Sequence, residues 1–112
     1  MKKECIRVYY KRPGKNLIEV KIPNELDWLQ GAVEGYIETV TLKRSENGMP
    51  RLVMICNEEG KLKDMQQNFR WLYDEVVGPV LFVGADDEGD FTDCPMNKKE
   101  LERELMLLGV KL

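Results

Sequence analysis

The chain has 112 residues, 43% hydrophobic and 33% charged, with a formal net charge of -3 at neutral pH. That length and apolar share suit one globular domain over residues 1–112, with a core that needs neither metal nor disulfide staples. Histidine is absent, which excludes Ser-His-Asp and Cys-His catalysis, histidine-ligated zinc and histidine pH switching together, and the negative charge argues against broad binding to phosphate backbones.

Met1-Lys2-Lys3-Glu4-Cys5 is not followed by an apolar leader, and no run approaches the roughly 20 apolar residues that span a bilayer, so the expectation is a cytoplasmic protein without membrane contact. Ile6, Val8 and Tyr10 alternate with Arg7, Tyr9 and Lys11, the pattern of a half-buried strand. Pro13-Gly14 supplies a tight turn, and Ile18, Val20 and Ile22 alternate in a second strand, completing a hairpin. Asn24 is placed to cap a helix reaching about Glu34, with Asp27 near the positive end of its dipole and Gly35 as a left-handed terminator. Leu26, Leu29 and Val33 share one side of that helix.

Tyr36 to Leu42 is rich in β-branched residues and reads as a third strand. Asn47-Gly48 is a hairpin signal because both positions tolerate positive φ. The unbroken run Leu52-Val53-Met54-Ile55-Cys56 suits a strand inside the sheet, covered on both faces. Residues 62–74 read as irregular or as a short helix. After Gly78-Pro79, Val80 to Val83 forms another strand, which ends in Asp86-Asp87-Glu88-Gly89-Asp90, and Phe91 to Cys94 adds a further short one. Asn97 with Glu100 matches a capping box for a final helix carrying Leu101, Leu105 and Leu108, closed by Gly109.

The elements follow the order β-β-α-β-β-(irregular)-β-α. They predict an α+β fold with a five- or six-stranded mixed or antiparallel sheet and helices on one face. The opening ββαββ resembles the order of a β-grasp domain, a likeness of fold alone.

Three cysteines without C-x-x-C spacing disfavour a disulfide framework and a zinc knuckle. Cys5 and Cys56 read as small core residues, and Asp93 beside Cys94 argues against a nucleophilic thiolate there. Asp86, Asp87 and Asp90 are hard oxygen donors suited to a cation, but the EF-hand pattern fails, because the twelfth position from Asp86 is Asn97. A solvated turn explains the same residues. Glu58 and Glu59 could join the acidic turn as a catalytic carboxylate set if their two strands were parallel neighbours, since the turns would then meet at one end of the sheet. Phe69, Trp71 and Tyr73 either seal the core or, with Arg70, form a binding surface. Six cations, Lys2, Lys3, Arg7, Lys11, Arg12 and Lys15, make the first hairpin locally basic, as a weak nucleic-acid contact or a guarded sheet edge would require.

The words Gly35-Tyr36-Ile37-Glu38, Cys56-Asn57-Glu58-Glu59-Gly60-Lys61-Leu62, Asn68 with Arg70, and Gly78-Pro79 through Gly84 to Asp86-Asp87 and Gly89-Asp90-Phe91 occur in an order that resembles a family of small proteins of unknown function. Its members are carried by phages, plasmids and integrative conjugative elements of Firmicutes and other gut bacteria. The chain departs from it where Gln66 and Gln67 replace the proline usual beside the Asn-Arg word. The resemblance implies an accessory factor that binds a host component, with no established activity or cofactor.

These observations favour a non-enzymatic binding module for a host protein or small ligand, as monomer or homodimer. Asn57, Glu58, Glu59, Lys61, Asn68, Arg70, Trp71, Asp86, Asp87 and Asp90 are the candidate contact residues. A metal-assisted carboxylate enzyme and a weak nucleic-acid binder are the alternatives.

Overall fold

The computed structural model of the chain describes residues 4–112. β1 (Cys5–Lys11) and β2 (Ile18–Pro23) form the expected antiparallel hairpin. Its corner is closed by a hydrogen bond from Lys15 N to Arg12 O at 3.1 Å. α1 (Leu26–Val33) follows, but Asn24 is not its cap. The Asn24 side chain is buried and donates to Phe91 O at 3.0 Å, so it cannot also turn back onto the helix, and Glu25 occupies the cap without a side-chain hydrogen bond. At the other end Glu34, not Gly35, takes the left-handed conformation, at φ 64°. Gly35 meets a different need, because a Cβ there would sit 2.6 Å from Asn57 Nδ2.

β3 (Ile37–Arg44) and β4 (Pro50–Asn57) pair around Asn47-Gly48, where only Gly48 has positive φ, at 83°. Residues 62–74 are neither helical nor irregular throughout. They carry β5 (Gln67–Trp71) and the start of β6 (Asp74–Val77), an antiparallel hairpin whose turn holds Leu72 at φ 55°. A leucine rarely accepts that conformation, so the residues give no ordinary turn signal.

β7 (Val80–Ala85) and the short β8 (Phe91–Thr92) flank the acidic turn. α2 (Lys98–Leu107) opens on the expected capping box: Asn97 Oδ1 accepts from Glu100 N at 2.9 Å, and Glu100 Oε1 accepts from Asn97 N at 3.0 Å. Gly109, at φ 89°, turns the chain into β9 (Val110–Lys111), which pairs with β5.

The main sheet has the order β2-β1-β7-β4-β3, with β8 added beside β7, and a second sheet has the order β6-β5-β9. Every ladder is antiparallel. The alternation of side chains divides the apolar runs of β4 and β7 between two cores. Val53, Ile55, Leu81 and Val83 join Leu29 and Val33 of α1 on one face. Leu52, Met54, Val80 and Phe82 join Leu101 and Leu105 of α2, with Phe69 and Val110 of the small sheet, on the other. The helices therefore lie on opposite faces, which corrects the expected one-face arrangement. Two strands apolar on both sides need a cover on each side.

Gly84 shows how tightly β8 closes on β7: a Cβ there would run into the Asp93 carbonyl and the Thr92 hydroxyl. Gly84→Ala is expected to lower the unfolding free energy by about 1–3 kcal/mol in urea titration. Gly31→Ala, on a helix with open space around it, should instead raise it by about 0.5–1 kcal/mol.

Candidate functional site

The direction of one ladder decides which candidate residues can act together. β4 and β7 are antiparallel neighbours, with Leu52 opposite Gly84 and Ile55 opposite Leu81. The end of β4, which carries Glu58 and Glu59, therefore lies beside the start of β7, and the acidic turn lies at the far end of the sheet. The two carboxylate turns do not share a rim. A site built from both, as carboxylate catalysis between them required, is not formed.

The acidic turn is held by its own backbone. The Asp86 carboxylate accepts from Glu88 N at 2.9 Å and Asp90 N at 3.0 Å, and Asp86 N donates to Asp90 O at 3.0 Å. Asp87 accepts from Asn47 Nδ2 at 3.4 Å across the neighbouring hairpin turn. Local amides thus account for Asp86 at the head of the turn. Among the described residues no group of three or more Cys, Asp or Glu side chains is arranged to hold a metal ion.

Two of the four described cations in the first fifteen residues, Arg7 and Lys11, are engaged internally, while Arg12 and Lys15 are exposed. Lys2 and Lys3 lie outside the described residues. Arg7 donates to Tyr9 Oη at 2.8 Å, Cys94 O at 2.6 Å and Glu19 at 3.3 Å. Lys11 is buried, with Nζ donating to Arg12 O at 3.0 Å and Asn68 Oδ1 at 2.8 Å, and burial lowers its pKa. Asn68 completes a clasp by donating to Lys11 O and Gly78 O, both at 2.8 Å. Its amide joins β1, β5 and the start of β7.

Five of the candidates do converge. Asn57, Glu58, Glu59, Lys61 and Trp71 line a cleft of about 360 Å³ between the main sheet and the β5–β6 hairpin. Glu38 and Val40 of β3, Met54 and Cys56 of β4, and Asp74, Glu75 and Val76 of β6 complete its walls. Four carboxylates there, those of Glu38, Glu58, Glu59 and Asp74, accompany the single ammonium of Lys61, whereas Glu75 stands opposite Arg70 in the β5–β6 ladder and turns its side chain to the outer side. Apolar side chains with the half-buried Trp71 indole form the rest of the lining. The Lys61 ammonium lies 2.6 Å from Asp74 Oδ1 and, with the Glu75 amide, lowers the Asp74 carboxyl pKa.

Each wall is fixed by local structure. Asn57 is buried, donates to Val33 O at 3.0 Å and accepts from Glu59 N at 2.7 Å, so one side chain ties the end of α1 to the turn carrying Glu58 and Glu59. Glu58 N donates to Tyr36 O at 2.9 Å. Trp71 is oriented by donation from its indole Nε1 to Leu108 O at 2.9 Å. Of the aromatic segment, Phe69 is buried in the core, Trp71 borders the cleft and Tyr73 is exposed at the hairpin tip. Arg70 alternates with Phe69 and Trp71 and lies on the other side of the hairpin, beside Gln67 and Tyr73.

The chemistry available is recognition of positive charge. Cys56 is the one thiol in the cleft, and burial, aided by the Glu38 carboxylate, pushes its pKa up to about 11. The thiol stays protonated and is not poised as a nucleophile. Cys94 is likewise buried, and burial raises its thiol. Cys5, the first residue of β1, is exposed instead of lying in the core.

Glu38, Asp74 and Glu75 were not among the candidates. Glu38 sits directly opposite Cys56 in the β3–β4 ladder, so the pairing register would have found it. Asp74 and Glu75 belong to the hairpin that lacked a turn signal.

The profile of a domain of unknown function, DUF3846, matches residues 6–106, and the chain belongs to that family. No match was found among curated proteins or among solved structures. Among the described residues no helix is long and apolar enough to cross a membrane.

Two outcomes check this geometry. In the native protein at pH 8 a thiol reagent should modify Cys5 rapidly and leave Cys56 and Cys94 protected, and denaturant should release all three. Asn57→Ala, which leaves the Val33 carbonyl and the Glu59 amide unpaired, should lower the unfolding free energy by about 1–3 kcal/mol in chemical denaturation.

Proposed function

We propose that the chain is a non-enzymatic binding module, the accessory protein of a mobile genetic element, which holds a basic segment of a host protein in the cleft between its two sheets. The observation that carries this reading is the lining of that cleft: Glu38, Glu58, Glu59 and Asp74 against Lys61 alone, beside Trp71, Val40, Met54 and Val76. A lysine or arginine side chain has the complementary form. Its cationic head would meet carboxylates, and its alkyl stem or flat guanidinium would rest on the indole and the apolar floor. The mobile-element setting rests on the resemblance of the sequence words, and the host partner follows from that setting.

An enzymatic reading through paired carboxylate turns has lost the arrangement it needed, since those turns lie at opposite ends of the sheet. A nucleic-acid reading has lost Arg7 and Lys11 to internal hydrogen bonds.

Calorimetric titration with an arginine- and lysine-rich peptide at low ionic strength tests the proposal. Saturable binding that weakens as salt rises is expected. Glu58→Gln and Glu38→Gln should each weaken it about threefold to tenfold, as loss of a partly screened ion pair does, while Asp87→Asn at the far end leaves it unchanged. Absence of binding, or an equal loss on Asp87→Asn, would overturn the proposal.

A further inference from the structure

The outer strand β2 is the second feature of this molecule that presents itself to a partner. Among the described residues it ends the main sheet and pairs with β1 alone, in a ladder that runs without a register shift from Ile18 to Pro23. The opposite edge differs: β3 slips register between Thr41 and Arg44, and such bulges discourage further strand pairing. β2 has no such protection. Its outward row of backbone donors and acceptors is regular up to Pro23, which has no N–H and closes the row, and Ile18 beside it is 41% exposed.

The residues of β2 restrict what can pair with it. Ile18, Val20 and Ile22 point toward the α1 face, where Val20 and Ile22 already meet the core, and Glu19 and Lys21 point toward the other. When one copy of β2 pairs antiparallel with another about a two-fold axis, opposed residues must share the same face, so the axis passes through a residue. An axis through Glu19 sets Glu19 against Glu19. An axis through Lys21 sets Lys21 against Lys21. An axis through Val20 sets Glu19 against Lys21 twice, Ile18 against Ile22 twice, and Val20 against itself. Like charges directly opposite destabilise a ladder and opposite charges support it, so the Val20 register is the favourable central one. In that register the lysine that would guard a lone edge against pairing is neutralised by the glutamate of the other copy.

The surroundings agree with this occupant. Leu26 and Trp28, at the start of α1 directly after β2, are 55% and 49% exposed. A groove of about 650 Å³ runs between α1 and the edge, lined by Tyr10, Val20, Ile22, Trp28 and Ala32 among others. Two-fold pairing keeps both α1 helices on the same face and brings these apolar side chains from both copies to one joint, so burial of apolar surface adds to the new backbone hydrogen bonds. On the other face Glu19 also lies 3.3 Å from Arg7 Nη1, which leaves it flanked by two cations when Lys21 of the second copy arrives.

We propose that the chain forms a two-fold homodimer by antiparallel pairing of β2 with β2 of a second copy, centred on Val20, so that the two main sheets become one. This interface is separate from the acidic cleft and stands or falls independently of it.

Sedimentation equilibrium of the full chain across micromolar concentrations tests the proposal. Twice the monomer mass is expected. Lys21→Glu, an exposed change that sets like charges opposite each other at two places, should weaken dimerisation at least about tenfold, and Glu19→Lys should do the same. The double variant Glu19→Lys with Lys21→Glu restores the complementary order and should recover most of the dimer, with circular dichroism checking that each variant is folded. A monomer at every concentration would overturn the proposal. So would a dimer that both single substitutions leave intact, or one that the double exchange fails to restore.

Discussion

The structure depends on the antiparallel ladder between β4 and β7, two strands apolar on both faces at the middle of the main sheet. Because successive side chains point to opposite sides, each strand demands burial above and below. α1 meets one demand with Leu29 and Val33. α2 and the small sheet meet the other with Leu101, Leu105, Phe69 and Val110. Neither helix is long enough to be stable alone, so packing onto this ladder is what keeps both of them folded.

The same ladder sets where chemistry can gather. Antiparallel neighbours that are not joined by a tight hairpin need a connection, and here it starts at Glu58 and carries β5 and β6 before β7 begins. That excursion folds back over the α2 face as the second sheet and leaves an acidic cleft against β3 and β4. Residues far apart in the chain, Glu38 and Asp74 among them, come to line one cleft for this reason. The acidic turn between β7 and β8 is carried to the other end, where its own amides hold it.

Much of the fold is legible in the residues because the signals are local. The β1–β2 pairing, the Pro13-Gly14 corner and the Asn97-Glu100 capping box each depend on a few neighbouring side chains, and each occurs as expected, although β1 is not half-buried: Tyr9 and Lys11 on its second face are covered too. What could not be read locally was decided by distant partners. Asn24 has the right type for a helix cap but is engaged by the Phe91 carbonyl. Gly35 looks like a helix terminator but makes room for Asn57. The β5–β6 hairpin turns through Leu72 in a conformation that leucine seldom adopts. Half of the candidate contact residues meet in the cleft because Asn57 through Lys61 is one turn and Trp71 faces it. Of the three aspartates prominent in the sequence, Asp86 holds its own turn and Asp87 reaches Asn47 of the next hairpin.

The account as a whole places recognition at the Asn57 end of the sheet and leaves the acidic turn a structural corner. Amide chemical-shift mapping during addition of a basic peptide tests that most directly, because every residue reports at once. The account predicts shifts concentrated at Glu38, Glu58, Glu59, Asp74 and the Trp71 indole, with Asp86 to Asp90 unmoved. Shifts centred on Asp86 to Asp90 with the cleft unmoved would contradict it.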